Sequence, residues 1–257
     1  MPKLRKRQIV KKNKPLLHLL ILDQFFIFEQ LQLEEALLRL DNRNWCILNQ
    51  GSSPAIVLGI SGQPLQLVNQ TKMKQNPLPL IRRFSGGGTV VIDENTLFST
   101  LICGHSALPV HPYPQSIMQW TAELYQPLFP DQAFALKEND YTINGKKWGG
   151  NAQLITRNRW LHHSSILWNY QQQYMDYLLF PPKSPDYRQK RSHADFICRL
   201  ADYHLTIERF NHEWLHQLAM HFDIVNVDVE EVKHFIQQPH RRVTCLEAID
   251  EFSKNHH

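Results

Sequence analysis

Short apolar runs bounded by turn residues recur along most of this chain, and few stretches carry the three-to-four-residue period of a helix. Residues 16–22 form an apolar run after a basic start and read as a first buried strand. Residues 25–40 place Phe28, Leu31, Leu33, Ala36, Leu37 and Leu40 at helical spacing, with Glu29, Glu34, Glu35 and Arg39 between them, which predicts an amphipathic helix. Two strands, 45–49 and 55–59, flank the turn Gly51-Ser52-Ser53-Pro54. Residues 78–83 lead into a glycine turn, and 89–92 and 97–102 read as a strand pair around Asp93-Glu94-Asn95. A helix is expected over 116–128. Asn144-Gly145, between 141–143 and 146–148, is the strongest short-range hairpin signal. Strands over 152–155 and 160–168 follow. A loop with Pro181, Pro182 and Pro185 precedes a tail with helices predicted at 207–221, 229–238 and 246–252. Without regular βαβ alternation, the pattern favours a mixed α/β (α+β) fold with a largely antiparallel sheet flanked by helices, and argues against a doubly wound nucleotide fold.

Charge divides the chain unevenly. The first fourteen residues hold seven cations and no acid; without them the body has 21 basic and 24 acidic residues, a net charge of −3. A mildly acidic body argues against a nucleic-acid-binding face spread over the domain. The leader, residues 1–14, reads as a solvated flexible segment, with contact to RNA or an anionic membrane surface as the alternative. The apolar run behind it carries His18, ends at Asp23 and lacks a small-residue cleavage site, so it does not read as a signal peptide; a transit peptide stays open. No stretch approaches the roughly 18 apolar residues of a membrane span. Cys46, Cys103, Cys198 and Cys245 lie far apart without a CxxC pair, which fits a reducing compartment, the cytoplasm or an organellar matrix. Residues 15–257, with 42% apolar residues in the chain, are expected to form one domain whose part from about residue 200 is a helical extension.

Glycine is scarce at ten residues, yet six fall in two short segments. Gly86, Gly87 and Gly88 follow Arg82-Arg83-Phe84-Ser85; such a run exposes successive N–H groups to an anion, or is simply a flexible turn. In Asn144-Gly145-Lys146-Lys147-Trp148-Gly149-Gly150-Asn151-Ala152-Gln153, strand alternation sends Lys146 and Lys147 to opposite faces, so at most one enters a buried site. The adjacent His162 and His163 face opposite ways for the same reason and have no third ligand nearby at metal spacing.

These two segments, together with His162-His163-Ser164-Ser165-Ile166-Leu167, occur in the order and rough spacing of the lipoate–protein ligase catalytic domain, in the superfamily of biotin/lipoate ligases and octanoyltransferases, which this chain resembles over roughly residues 25–200. Further matches are Gln30-Leu31-Gln32-Leu33-Glu34-Glu35-Ala36-Leu37, Ile56-Val57-Leu58-Gly59 and Lys137-Glu138-Asn139-Asp140. The resemblance implies a mixed sheet related to class II aminoacyl-tRNA synthetases. It also implies ATP-dependent formation of lipoyl-AMP, and acyl transfer to a lysine of a lipoyl carrier domain such as a 2-oxoacid dehydrogenase E2 subunit or the glycine cleavage H protein. By motif, Lys147 corresponds to the family's essential lysine. Ser85, Gly86, Gly87 and Gly88 would line the acyl-adenylate pocket, and Arg83 would approach a carboxylate or phosphate. Asn139 and Asp140 would lie near the nucleotide, with Asp140 a Mg²⁺ ligand. Gly150, Asn151, Ala152, His162 and His163 would complete the site.

Three departures stand out. Ile92-Asp93 replaces the family's His-Asp pair, Ser164-Ser165 replaces Gly-Thr, and about 57 residues follow Leu200, too few for the accessory domain typical of single-chain ligases. Adenylation is therefore expected to be weak or to need a separate partner protein. The ATP-independent octanoyltransferases use a cysteine nucleophile, but no cysteine adjoins the lysine hairpin, and Cys103 reads as core packing. A non-catalytic protein that binds lipoate or lipoyl domains is a further reading, against which Lys147 weighs.

Overall fold

The computed structural model describes residues 13–182, 184–203 and 205–248. The first half runs β1 (Leu16–Asp23), α1 (Ile27–Leu40), β2 (Asn44–Gln50), β3 (Ala55–Leu58), α2 (Pro64–Leu67), α3 (Gln70–Gln75), β4 (Leu80–Arg82), β5 (Val90–Ile92), β6 (Thr96–Gly104) and α4 (Pro114–Tyr125). It continues through β7 (Phe134–Lys137), β8 (Asp140–Ile143), β9 (Lys146–Lys147), β10 (Gly149–Ile155), β11 (Arg159–Leu167), α5 (Gln172–Met175), α6 (His193–Phe196), α7 (Ile207–Ala219), β12 (Asp223–Asn226) and β13 (Cys245–Leu246).

A six-stranded sheet in the order β10-β11-β6-β2-β1-β12 is the backbone of the fold, antiparallel from β10 to β2 and parallel from β2 to β12. Both of its faces are apolar. One carries Leu20, Trp45, Ile47, Phe98, Ile102 and Leu161 against α1; the other carries Leu17, Leu19, Cys46, Leu101, Cys103 and Trp160 with α4 and α7, where Tyr125 stacks on Trp214 at 4.2 Å. A second sheet, β13-β4-β3-β5, and a meander, β7-β8-β9, complete the structure. The mixed, largely antiparallel fold expected from the sequence is present.

Two expectations are corrected. Residues 90–92 and 96–104 do not pair with each other. At their junction the Asp93 carboxylate accepts from the Asn95 N–H and Thr96 N–H bonds back to the Asp93 carbonyl, and the chain crosses between sheets. There β5 pairs with β3, whereas the long β6 takes the place between β2 and β11. The C-terminal part is not purely helical either: β12 extends the main sheet alongside β1, and residues 229–237 form two 3₁₀ segments around the single buried anchor Val232 instead of an α-helix. A run with β-branched residues and one buried side chain gives an α-helix little to pack with. Leu246 sits in β13, paired with Ile81, and residues 249–252 of the predicted last helix lie outside the described residues. Most of the leader, residues 1–12, lies outside them as well.

Candidate functional site

The α1 face of the main sheet, the second sheet and the segment 171–197 enclose a cavity of about 720 Å³. Its apolar lining includes Ile27, Leu31, Val57, Ile92 and Phe98, and its polar lining brings Lys147, Gly87, Gly88, Arg83, Asn139, Asp140, Gly150, Asn151, Ala152 and His163 together. The lysine hairpin and the glycine run, 60 residues apart in sequence, thus meet in one site.

Only the middle glycine of the run is sterically obligatory. Gly87 has φ +108, and a Cβ there would stand 2.6 Å from Arg83 Nη2 and 2.8 Å from the Asn151 carbonyl, whereas one on Gly88 would meet open space. Arg83, 4% exposed, donates from Nε and Nη2 to the Gly86 carbonyl (3.2 and 2.9 Å) and from Nη2 to that of Gly88 (2.8 Å). Burial pushes its guanidinium down to about 10, with the Glu34 carboxylate opposing. The arginine expected to meet a ligand anion is therefore bonded to its own loop. Ser85 and Gly86 lie behind the lining: the Ser85 carbonyl accepts from Ile60 N–H (3.0 Å), and Gly86 N–H donates to the Gln153 carbonyl (3.3 Å).

Asn144 and Gly145 both have positive φ, the two-residue turn that twists β8 and β9 into register, with Thr142 opposite Lys147. Lys146 is exposed, and Lys147, its side chain 24% exposed, turns inward. Its Nζ lies 2.6 Å from Asp140 Oδ1, and the Tyr187 hydroxyl donates to Asp140 Oδ2 at 2.8 Å. Burial and this carboxylate drive the Tyr187 phenol far above its usual range, so it remains a donor. Asn151 Nδ2 donates to the Asn139 carbonyl (3.1 Å), and its Oδ1 accepts from Ser164 (2.7 Å).

The paired histidines separate as strand alternation requires. His163 faces the cavity, its Nδ1 3.0 and 3.1 Å from the two Glu34 oxygens and 2.9 Å from Thr100 Oγ1. His162 points to the opposite face, among Gln153, Tyr141 and Ser164, where burial and, secondarily, His163 push it down to about 3. That placement removes His162 from the cavity lining.

Two lining or supporting groups escaped the sequence reading. Glu34, fully buried, accepts from Gln30, Thr100 and His163; within an amphipathic pattern it reads as a solvent-facing carboxylate. Arg188 lines the cavity from a proline-rich loop that carries no motif. A strap at the C-terminus reinforces the glycine wall. Val243 and Thr244 donate their N–H groups to Glu35 (2.9–3.1 Å), and Glu247 pairs with Arg82, whose Nη1 gathers the carbonyls of Gly59, Ile60 and Gly62.

None of the four cysteines lines the cavity, and burial raises Cys46 to about 12, Cys198 to about 11 and Cys103 further still. No group of three or more His, Cys, Asp or Glu side chains able to hold a metal occurs among the described residues.

A family model described as "Lipoyl protein ligase A/B catalytic domain" matches residues 27–219. The chain is 30% identical to "Inactive lipoate--protein ligase 2" of Plasmodium falciparum over 73% of its own length and 65% of that protein. It is 25% identical to "Lipoate-protein ligase LplJ" of Bacillus subtilis over 73% and 57%. The chain thus spans less than two thirds of these relatives. Its fold is shared with the bipartite lipoate protein ligase of Thermoplasma acidophilum (TM-score 0.70, 16% identity, 88% of this chain and 91% of that one). It is equally that of lipoate-protein ligase A bound with ATP (TM-score 0.69, 16% identity, 88% and 92%). With the family model spanning three quarters of its length and both motif segments facing one cavity, the chain belongs to the lipoyl protein ligase A/B catalytic domain family.

Proposed function

We propose that this chain is an ATP-dependent lipoate–protein ligase, in which residues 15–257 act as one catalytic domain. The acid, lipoate or octanoate, attacks the α-phosphate of ATP to give acyl-AMP and pyrophosphate; the ε-amine of a carrier-domain lysine then displaces AMP. The observation that carries this reading is that Lys147 and the Gly87–Gly88 backbone share a cavity with an apolar lining. Apolar side chains suit an eight-carbon chain. An ammonium beside bare N–H groups suits a carboxylate and phosphate whose charge builds up during both steps. Lys147 comes to that position paired with Asp140, its Nζ 2.6 Å from Oδ1.

Mg²⁺ would enter on the nucleotide phosphates. Asp140 does not fit as its principal protein ligand: one oxygen contacts the Lys147 ammonium and the other the Tyr187 hydroxyl, and a dication at that carboxylate would stand against the lysine charge. No step is therefore assigned to it. The carrier would be a lipoyl domain, and the similarity to a structure described as a bipartite ligase with its E2 lipoyl domain supports both that partner and a separate accessory protein. No helix among the described residues is long and apolar enough to cross a membrane.

A cysteine-dependent octanoyltransferase needs a thiolate within reach of the acyl carbonyl, and no thiol lines the cavity. A non-catalytic binding protein is the second reading, favoured by the similarity to a relative named inactive. Incubation with ATP, Mg²⁺, lipoate and an apo carrier domain separates the three. Lipoylated carrier that disappears with Lys147→Ala supports the ligase. Modification only from octanoyl carrier protein selects the transferase, and ligand binding without turnover selects the binding protein.

A further inference from the structure

Arg188 is 3% exposed and lines the cavity, with its guanidinium 4.3 Å from the Phe180 ring centroid and 4.9 Å from that of Phe196. Its Nε donates to the Arg191 carbonyl at 3.1 Å. Among the described residues neither Nη1 nor Nη2 has a hydrogen-bond partner, and Nη2 is buried. The unmet Nη2 donor costs free energy, since water cannot reach it, whereas Nη1 is not among the buried unpartnered atoms. The loop holding them is itself strained: Gln189 and Lys190, directly after Arg188, take φ +52 and +61, a left-handed region that side chains disfavour.

The surroundings define what would meet these donors. Asp140, the nearby carboxylate, is bonded to Lys147 and Tyr187 and not to Arg188. Arg191 turns its own donors to the carbonyls of Gly145, Tyr187 and Arg188. Arg188 is joined to the lysine hairpin through Tyr187, Asp140 and Lys147, and the Lys147 carbonyl in turn accepts from Cys198 N–H at 2.8 Å, just beyond Phe196. This places Arg188 at the Lys147 end of the cavity, which Glu138, accepting from Tyr187 N–H at 3.3 Å, also lines without bonding Arg188.

We propose that Arg188 is a phosphate-binding residue of the cavity, its Nη1, the unpartnered nitrogen that is not sealed off, donating to a nucleotide phosphate beside Lys147. A planar fork with free N–H groups matches phosphate oxygens, whereas Lys147 meets them as a point charge. The inference rests on the ligase reading above and extends it to a residue outside the family motifs. Both the α-phosphate, retained in the acyl-adenylate, and the phosphates that leave as pyrophosphate have this chemistry.

Calorimetric titration of the full chain with ATP plus Mg²⁺, AMP, pyrophosphate and octanoate tests it, comparing wild type with Arg188→Met, which keeps the packing against the two rings, and Arg188→Lys. Arg188→Met should bind ATP at least tenfold more weakly with octanoate affinity unchanged, and Arg188→Lys should fall between. A parallel loss for AMP assigns the α-phosphate; a loss for pyrophosphate alone assigns the leaving group. ATP affinities within twofold of wild type in both variants, or an equal loss for octanoate, would overturn the proposal. Should wild type bind octanoate but none of the three phosphate compounds, the ligase reading falls as well. If Arg188→Met melts well below wild type, Arg188→Lys carries the decision.

Discussion

The glycine wall and the wall formed by residues 171–197 face the same cavity but treat their arginines differently. Arg83 gives its donors to the loop carbonyls of Gly86 and Gly88, and Arg82 ties three further carbonyls to the C-terminal strap. The arginines of that wall are satisfied without ligand, and Thr89 Oγ1 beside Gly88 is its one cavity-lining side-chain atom that is buried without a partner among the described residues. On the other side Arg188 has a buried nitrogen, Nη2, without a partner and sits before two left-handed residues. A wall whose cations are bonded to its own carbonyls sets the shape of the site in advance, while one whose cation lacks acceptors holds binding capacity in reserve.

The contrast makes the first wall sensitive to backbone and the second to ligand. The largest effect is expected for Gly87→Ala. A side chain at φ +108, pressed on the Asn151 carbonyl, should cost about 3 kcal/mol, read as a lower melting temperature together with lost acyl and nucleotide binding. An unchanged melt would mean that the loop is not preset.

The main-sheet strand β11 provides a pH test. His162 is held at about 3 against an ordinary value near 6.5, so below 6.5 the unfolded chain binds a proton that the folded one refuses. Stability should be full above pH 6.5 and fall as pH drops toward 3, by about 2 kcal/mol at pH 5. Denaturant titrations at pH 7 and pH 5 should show that difference, and His162→Gln should reduce it. Equal sensitivity in the variant would place the titration elsewhere. A smaller effect, about 1 kcal/mol, is expected for Glu247→Ala, which frees Arg82 from the strap while leaving its carbonyl contacts. Here the KM for acid or nucleotide should rise with little change in kcat, and limited proteolysis should cut the C-terminal segment faster; an unaltered digestion pattern would show the strap to be passive.

What the sequence disclosed follows the same division. Asn144-Gly145 announced its hairpin because two adjacent positive-φ residues have few alternatives; the alternation of Lys146 with Lys147 allowed only one inward lysine, and the family resemblance named Lys147. The α1 helix was legible from its apolar stripe. Most strands were legible too, although β7, β12 and β13 were not, and partnership was not: 90–92 and 96–104 look like a hairpin locally, and only the competition of β3, β2 and β11 for their edges sends them to different sheets. Arg83 was assigned to a ligand anion by the family resemblance, and its proximity to the glycines lets it bond the loop instead. Arg188 had no local pattern, because what makes it available is the absence of acceptors around it in three dimensions.

Lipoate-dependent exchange of radiolabelled pyrophosphate into ATP measures the adenylation half-reaction without a carrier. Wild type should catalyse it and Lys147→Ala should lose at least about a hundredfold, as expected when a charge-stabilising donor is removed from the reacting centre. Exchange that survives Lys147→Ala, or its absence in wild type even when a separate accessory protein is supplied, would contradict the account.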